Sequence, residues 1–93
     1  MKSFRLLARI SSSSPEAVEP VLRKLIMRGS VKKEGGEFVV EAEMKGSSAK
    51  ELNRELLSAL RRKEKRTRLR AEWTFGKTTE RYFDYVLKKT IKT

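Results

Sequence analysis

The sequence predicts an α+β domain built on an antiparallel sheet. Three observations lead there: several runs alternate apolar and polar residues with period two, others repeat at helical spacing, and a diglycine separates two alternating runs. Ninety-three residues, 38% of them apolar, are enough for one domain, 1–93, with a small core.

"FRLLARI" (4–10) sets Phe4, Leu6, Ala8 and Ile10 on one face and Arg5, Leu7 and Arg9 on the other, the pattern of a half-buried strand. Ser11–Ser14 form a loop whose last serine can cap a helix starting at Pro15. Val18, Val21, Leu22, Leu25 and Ile26 make the helical stripe. Pro20 removes a hydrogen bond inside it, so either the regular helix starts near Glu19 or its first turn is kinked. Gly29 is expected to end it.

"SVKKEGGEFVVEAEMKG" reads as a hairpin, because Gly35 and Gly36 allow the positive φ of a two-residue turn. Its second strand points Phe38, Val40, Ala42 and Met44 inward, and Val39, Glu41, Glu43 and Lys45 outward. Ser48 and Glu51 then have capping-box spacing for a helix to about Lys65, buried through Leu52, Leu56, Ala59 and Leu60. From Thr67 the period returns to two, with Leu69, Ala71, Trp73 and Phe75 opposite Arg68, Arg70, Glu72 and Thr74. A last helix is expected over about Thr79–Ile91, packed through Phe83, Val86, Leu87 and Tyr82, with Tyr85 either in the core or on a partner surface.

The order β-α-β-β-α-β-α fits a ferredoxin-like split βαβ sandwich with an added C-terminal helix. That topology lays the last strand beside the first, so Arg5 and Arg9 would neighbour Arg68 and Arg70 on the uncovered face, flanked by Glu41 and Glu43.

Charge points to function. The chain holds 23 basic and 12 acidic residues, formally +11, with a pI near 10.4. Residues 1–60 carry 11 basic and 8 acidic groups, and residues 61–93 carry 12 and 4. In 61–70 a single acid, Glu64, faces seven cations, so pairing every arginine with a carboxylate cannot account for that segment. Phosphate binding can, because guanidinium forks match phosphate oxygens and displace condensed counterions. The expected RNA-binding residues are Arg61, Arg62, Lys65, Arg66, Arg68 and Arg70, helped by Arg5, Arg9, Lys77 and Arg81. No aromatic ring falls on the expected outward positions, so recognition by charge and shape is expected rather than base stacking. Structured RNA suits that mode; no helix-turn-helix or basic-zipper pattern points to duplex DNA.

Cysteine and histidine are both absent, which removes thiolate chemistry, zinc-thiolate sites and the usual proton shuttle. "FGKTTE" (75–80) has the look of a P-loop end, but Ala71 stands where that motif needs glycine. Glu41 and Glu43 suit an ion-pair ladder better than acid–base work, and Asp84 is the sole aspartate. No enzyme activity, cofactor or metal is expected. Arg5 and Arg9 interrupt the first apolar run, so neither a signal peptide nor a membrane anchor is expected, and a cytoplasmic location is. No glutamine and one asparagine, amid abundant Glu, Lys and Arg, match heat-adapted composition.

"FRLLARI", a helix, the hairpin with "FVVEAEMKG" and then "AKELNRELLSALRR" resemble the small dimerising subunit of the KEOPS tRNA-modification complex. The residues that carry this are Leu52, Asn53, Ser58, Leu60 and Arg61, and the likeness spans residues 4–65. The present chain is more basic and continues through residues 66–93 with a further strand and helix. The resemblance implies a homodimer that scaffolds catalytic partners near tRNA. The expectation is therefore a non-enzymatic RNA-binding protein of a ribonucleoprotein, ribosomal or tRNA-associated, with protein partners there. A dimeric scaffold subunit and a chromatin-type DNA-binding protein are the alternatives.

Overall fold

The computed structural model describes all 93 residues. Eight elements follow in order: β1 (Lys2–Ser11), α1 (Pro15–Leu25), β2 (Gly29–Glu34), β3 (Glu37–Gly46), α2 (Ala49–Arg61), β4 (Arg68–Phe75), β5 (Thr78–Phe83) and β6 (Val86–Lys92). All strands join one antiparallel sheet in the order β2-β3-β1-β4-β5-β6. The first six elements are compatible with a split β-α-β layout, and β5 and β6 extend the sheet beyond β4. Neither helix is long and apolar enough to cross a membrane.

The alternation in β1, β3 and β4 sends one face of each strand into a common core. Phe4, Leu6, Ala8 and Ile10 meet Phe38, Val40 and Ala42 on one side and Leu69, Ala71 and Trp73 on the other. Val18 and Leu22 of α1, with Leu52, Leu56, Leu57 and Leu60 of α2, cover that layer. Pro20 lies within α1, so the helix starts at Pro15 and runs through the proline. Ser14 occupies the N-cap position, but its side chain makes no capping bond. The helix stops at Leu25, where the Ile26 amide closes on the Leu22 carbonyl, and Gly29 opens β2 instead. Ser48 caps α2 by accepting from the Glu51 amide (3.1 Å), while the Glu51 carboxylate turns to Ser47 and Arg54. Gly35 and Gly36, at φ 55° and 83°, make the turn between β2 and β3.

The expected C-terminal helix is instead the β5–β6 hairpin. Apolar residues at 82, 83, 86 and 87 have helical spacing, and that spacing misled. In a sheet, Tyr82 and Phe83 fall on opposite faces, and Asp84 and Tyr85 form the turn between strands. Asp84 adopts φ 54°, a region aspartate tolerates better than most residues. Threonine and aromatic residues favour a strand in "TTERYF", and β4 offers it an edge to pair with. Phe83, Val86 and Leu87 are consequently exposed rather than packed, and only Tyr82 is buried. Tyr85 is also exposed, its hydroxyl 3.1 Å from Ser58 Oγ. Phe75, expected inside, is 45% exposed at the end of β4, where it tilts against Phe4.

A buried polar chain ties the hairpin down. The Trp73 indole donates to Asn53 Oδ1 (3.1 Å), and Asn53 Nδ2 donates to the Asp84 carbonyl (2.7 Å). Asn53 is fully buried, and no buried side-chain polar atom lacks a partner. Asn53→Ala should therefore cost about 2–4 kcal/mol in chemical denaturation, by stranding both the indole N–H and the carbonyl. That is a large share of the ~5–15 kcal/mol typical of a domain.

Burial, then the hydrogen bond to Glu80 (2.7 Å) and its negative charge, hold the Tyr82 phenol well above the ordinary tyrosine range. A folded pKa raised above the unfolded value gives stability that is complete below about pH 10 and lost as pH rises beyond it. Lysines titrate in the same range, so the comparison is with Tyr82→Phe. Its unfolding free energy should fall less steeply above pH 10 than that of the parent protein.

Candidate nucleic-acid interface

Two surfaces collect the cations: the open face of the sheet and the loop between α2 and β4. Helix α2 ends at Arg61 rather than near Lys65, so Arg62, Lys63, Lys65 and Arg66 stand on a loop. The loop's one acid stands against four cations. Glu64 Oε1 accepts the Arg66 amide (3.2 Å), and its carboxyl is held below the usual range by that bond first, then by the Ser13 and Ser14 hydroxyls and the charge of Arg66, whose guanidinium makes no ion pair within 4.0 Å. Thr67 anchors the loop from inside, donating to the Glu64 carbonyl (2.8 Å) and lying 3.4 Å from Ser12 Oγ. The serine loop before α1 thus abuts the basic loop.

The open face is arranged in rows by the strand register. Strand β4 lies beside β1, as the sandwich order predicted, with Arg9 directly opposite Arg70 and Ser11 opposite Arg68. Arg5 instead faces Thr74, because the antiparallel strands carry it away from Arg68 and Arg70. Most of these arginines have carboxylates. Arg5 pairs with Glu41 at 2.9 Å, Arg9 with Glu37 at 3.4 Å and Arg81 with Glu72 at 2.8 Å. Arg68 pairs with Asp84 at 3.2 Å.

Arg61 is a structural residue. Its Nε donates to the Thr67 carbonyl (3.0 Å), its Nη2 lies 3.5 Å from Asp84 Oδ1, and its guanidinium sits over the Tyr85 ring at 5.1 Å. Lys77 lies on the β4–β5 turn at the far end of β4, apart from the basic loop. "FGKTTE" is that turn and the start of β5, with Gly76 at φ 60°; no helix follows, so it is no P-loop. The ten expected residues therefore split. Arg62, Lys65 and Arg66 share the loop, Arg70 lies nearby on the face, Arg5, Arg9, Arg68 and Arg81 are paired, Arg61 is built in, and Lys77 is remote.

Eight of the eleven arginines contact a carboxylate within 4.0 Å: 5, 9, 23, 28, 54, 61, 68 and 81. The three that do not, Arg62, Arg66 and Arg70, all belong to the segment 61–70. Arg70 rests on the Phe83 ring at 5.1 Å. Sequence reading missed Lys63 and Phe83. Lys63 belongs to the same basic run and was legible; Phe83 reaches the open face only because its segment is a strand. No set of three acidic side chains converges to hold a metal ion.

Comparison with models of known families, with curated proteins and with solved structures finds no match.

Proposed function

We propose that this chain is a non-enzymatic RNA-binding protein that holds the phosphate backbone of structured RNA within a ribonucleoprotein, ribosomal or tRNA-associated, in the cytoplasm. Its first four strands and two helices serve as a ferredoxin-like platform, with the C-terminal hairpin added. One observation carries the reading: wherever the chain uses arginine for structure it supplies a carboxylate, and in 62–70 it leaves Arg62, Arg66 and Arg70 without one. Unpaired guanidinium groups beside Lys63 and Lys65 raise the local potential on a protein already at +11. Phosphate oxygens are the partners that this geometry and charge favour.

A dimeric scaffold subunit of a tRNA-modification complex is the second reading, favoured by the exposed Tyr85, Val86 and Leu87 on the hairpin. A dimer that survives high salt in light scattering would support it. Equal competition by duplex DNA would instead support a chromatin-type role.

With Arg62, Lys63, Lys65, Arg66 and Arg70 engaged, affinity for structured RNA should fall about 100- to 500-fold between 50 and 200 mM salt. Fluorescence anisotropy measures this directly. The Arg62→Gln, Arg66→Gln double variant should flatten the slope of log K against log salt from about −4.5 to about −2.7. A flat profile for the parent protein would refute the reading.

A further inference from the structure

One row of the open face differs from its neighbours. Across the sheet the register aligns Lys32 of β2, Val39 of β3, Arg9 of β1, Arg70 of β4, Phe83 of β5 and Val86 of β6. The row holds three cations and three apolar side chains, and no acid. The adjacent row contains Glu41 and Glu72, and the one on the other side contains Glu34 and Glu37. Strands lie about 4.8 Å apart, so the acid-free row runs about 24 Å across the six strands.

Within it, Arg9 and Arg70 stand directly opposite each other on neighbouring strands. Like charges in that position repel and destabilise the sheet. The fold relieves the repulsion weakly: Arg9 reaches Glu37 at 3.4 Å, and Arg70 turns onto the Phe83 ring. Phe83 is 40% exposed, and the guanidinium over its ring has no carboxylate within 4.0 Å. Arg9, Arg70 and Phe83 also border a cleft of about 300 Å³, where Arg68 makes a third guanidinium against the two carboxylates of Glu37 and Asp84. That volume is at the small end of ligand-sized pockets.

We infer that this row is a track for an unpaired stretch of the RNA, with a nucleobase stacked on Phe83 and its phosphate between Arg9 and Arg70. The inference deepens the RNA-binding reading and rests on it. An anion between the two arginines removes their repulsion, and a base on Phe83 covers the ring while Arg70 swings to the phosphate. Bases stack on aromatic rings without sequence preference, and apolar Val39 offers the next base a dry surface. A duplex does not fit, because its bases are already stacked on each other. The loop cations Arg62, Lys63, Lys65 and Arg66 then hold the flanking structured part of the same RNA.

The test uses the full chain and an RNA hairpin carrying 2-aminopurine in its loop, at 50 mM salt. Binding should quench or shift the probe's fluorescence, and a single strand should compete better than a blunt duplex of the same length. Phe83→Ala should weaken single-strand binding about 5- to 150-fold, while Phe83→Trp retains it. Arg70→Gln should weaken it too, and circular dichroism confirms that each variant is folded. If Phe83→Ala binds like the parent, or the duplex competes equally, the track is refuted while salt-dependent binding through the loop still stands. If no RNA binds at 50 mM salt, both readings fall.

Discussion

Asp84 is where the C-terminal hairpin is fastened to the rest of the protein. Its amide donates to the Leu69 carbonyl (2.7 Å), and its carboxylate accepts the Leu69 amide (2.9 Å). Its carbonyl accepts from Asn53, which in turn accepts from Trp73. The same carboxylate draws Arg61 from the end of α2 and Arg68 from the start of β4. One residue thus joins a turn, a helix end and a strand start. A buried amide that accepts from an indole and donates to a backbone carbonyl brings a rigidity that apolar contacts alone do not impose. With the turn held there, the two-residue period of β5 places Tyr82 inside and Phe83 outside.

The use of charge follows from that anchoring. Arg61 and Arg68 look, in the sequence, like members of one cationic run with Arg62, Arg66 and Arg70. In the fold they are committed to Asp84, and Arg61 also stacks on Tyr85. Exposed ion pairs of the kind seen on the sheet contribute little each, about 0–1 kcal/mol. Their effect is to quiet most of the face electrostatically. What remains without a carboxylate is the pair Arg62 and Arg66 on the α2–β4 loop, and Arg70 on the sheet face. A basic protein of this size has a diffuse attraction for any polyanion; pairing off the other arginines gives that attraction a place and a direction.

Much of the fold was legible because simple periods govern it. The alternations in 4–10, 37–46 and 68–75 survive as strands, and the diglycine makes the turn it predicts. The stripes of α1 and α2 pack largely as read, although in α2 Leu57 and Asn53 are buried and Ala59, expected inside, is only half-buried. Asn53, noted in the sequence only as part of a family likeness, proves to be a structural hinge pin, and nothing local to it signals the indole it serves. The C-terminal segment was misread because 82, 83, 86 and 87 satisfy both a helical stripe and a hairpin whose turn lacks glycine. Local spacing cannot separate those two; the partner strand β4 does, by offering its free edge.

By itself the sequence determined an antiparallel α+β domain, its inward-facing residues up to Trp73, and an excess of cations from residue 61 onward, since these follow from period and composition alone. Only the tertiary structure decided which cations are spent. Carboxylates that neutralise Arg5, Arg9, Arg61, Arg68 and Arg81 come from other strands and turns, between 9 and 36 residues away in the chain. Pairing over such separations depends on register and turn geometry, which no local pattern encodes.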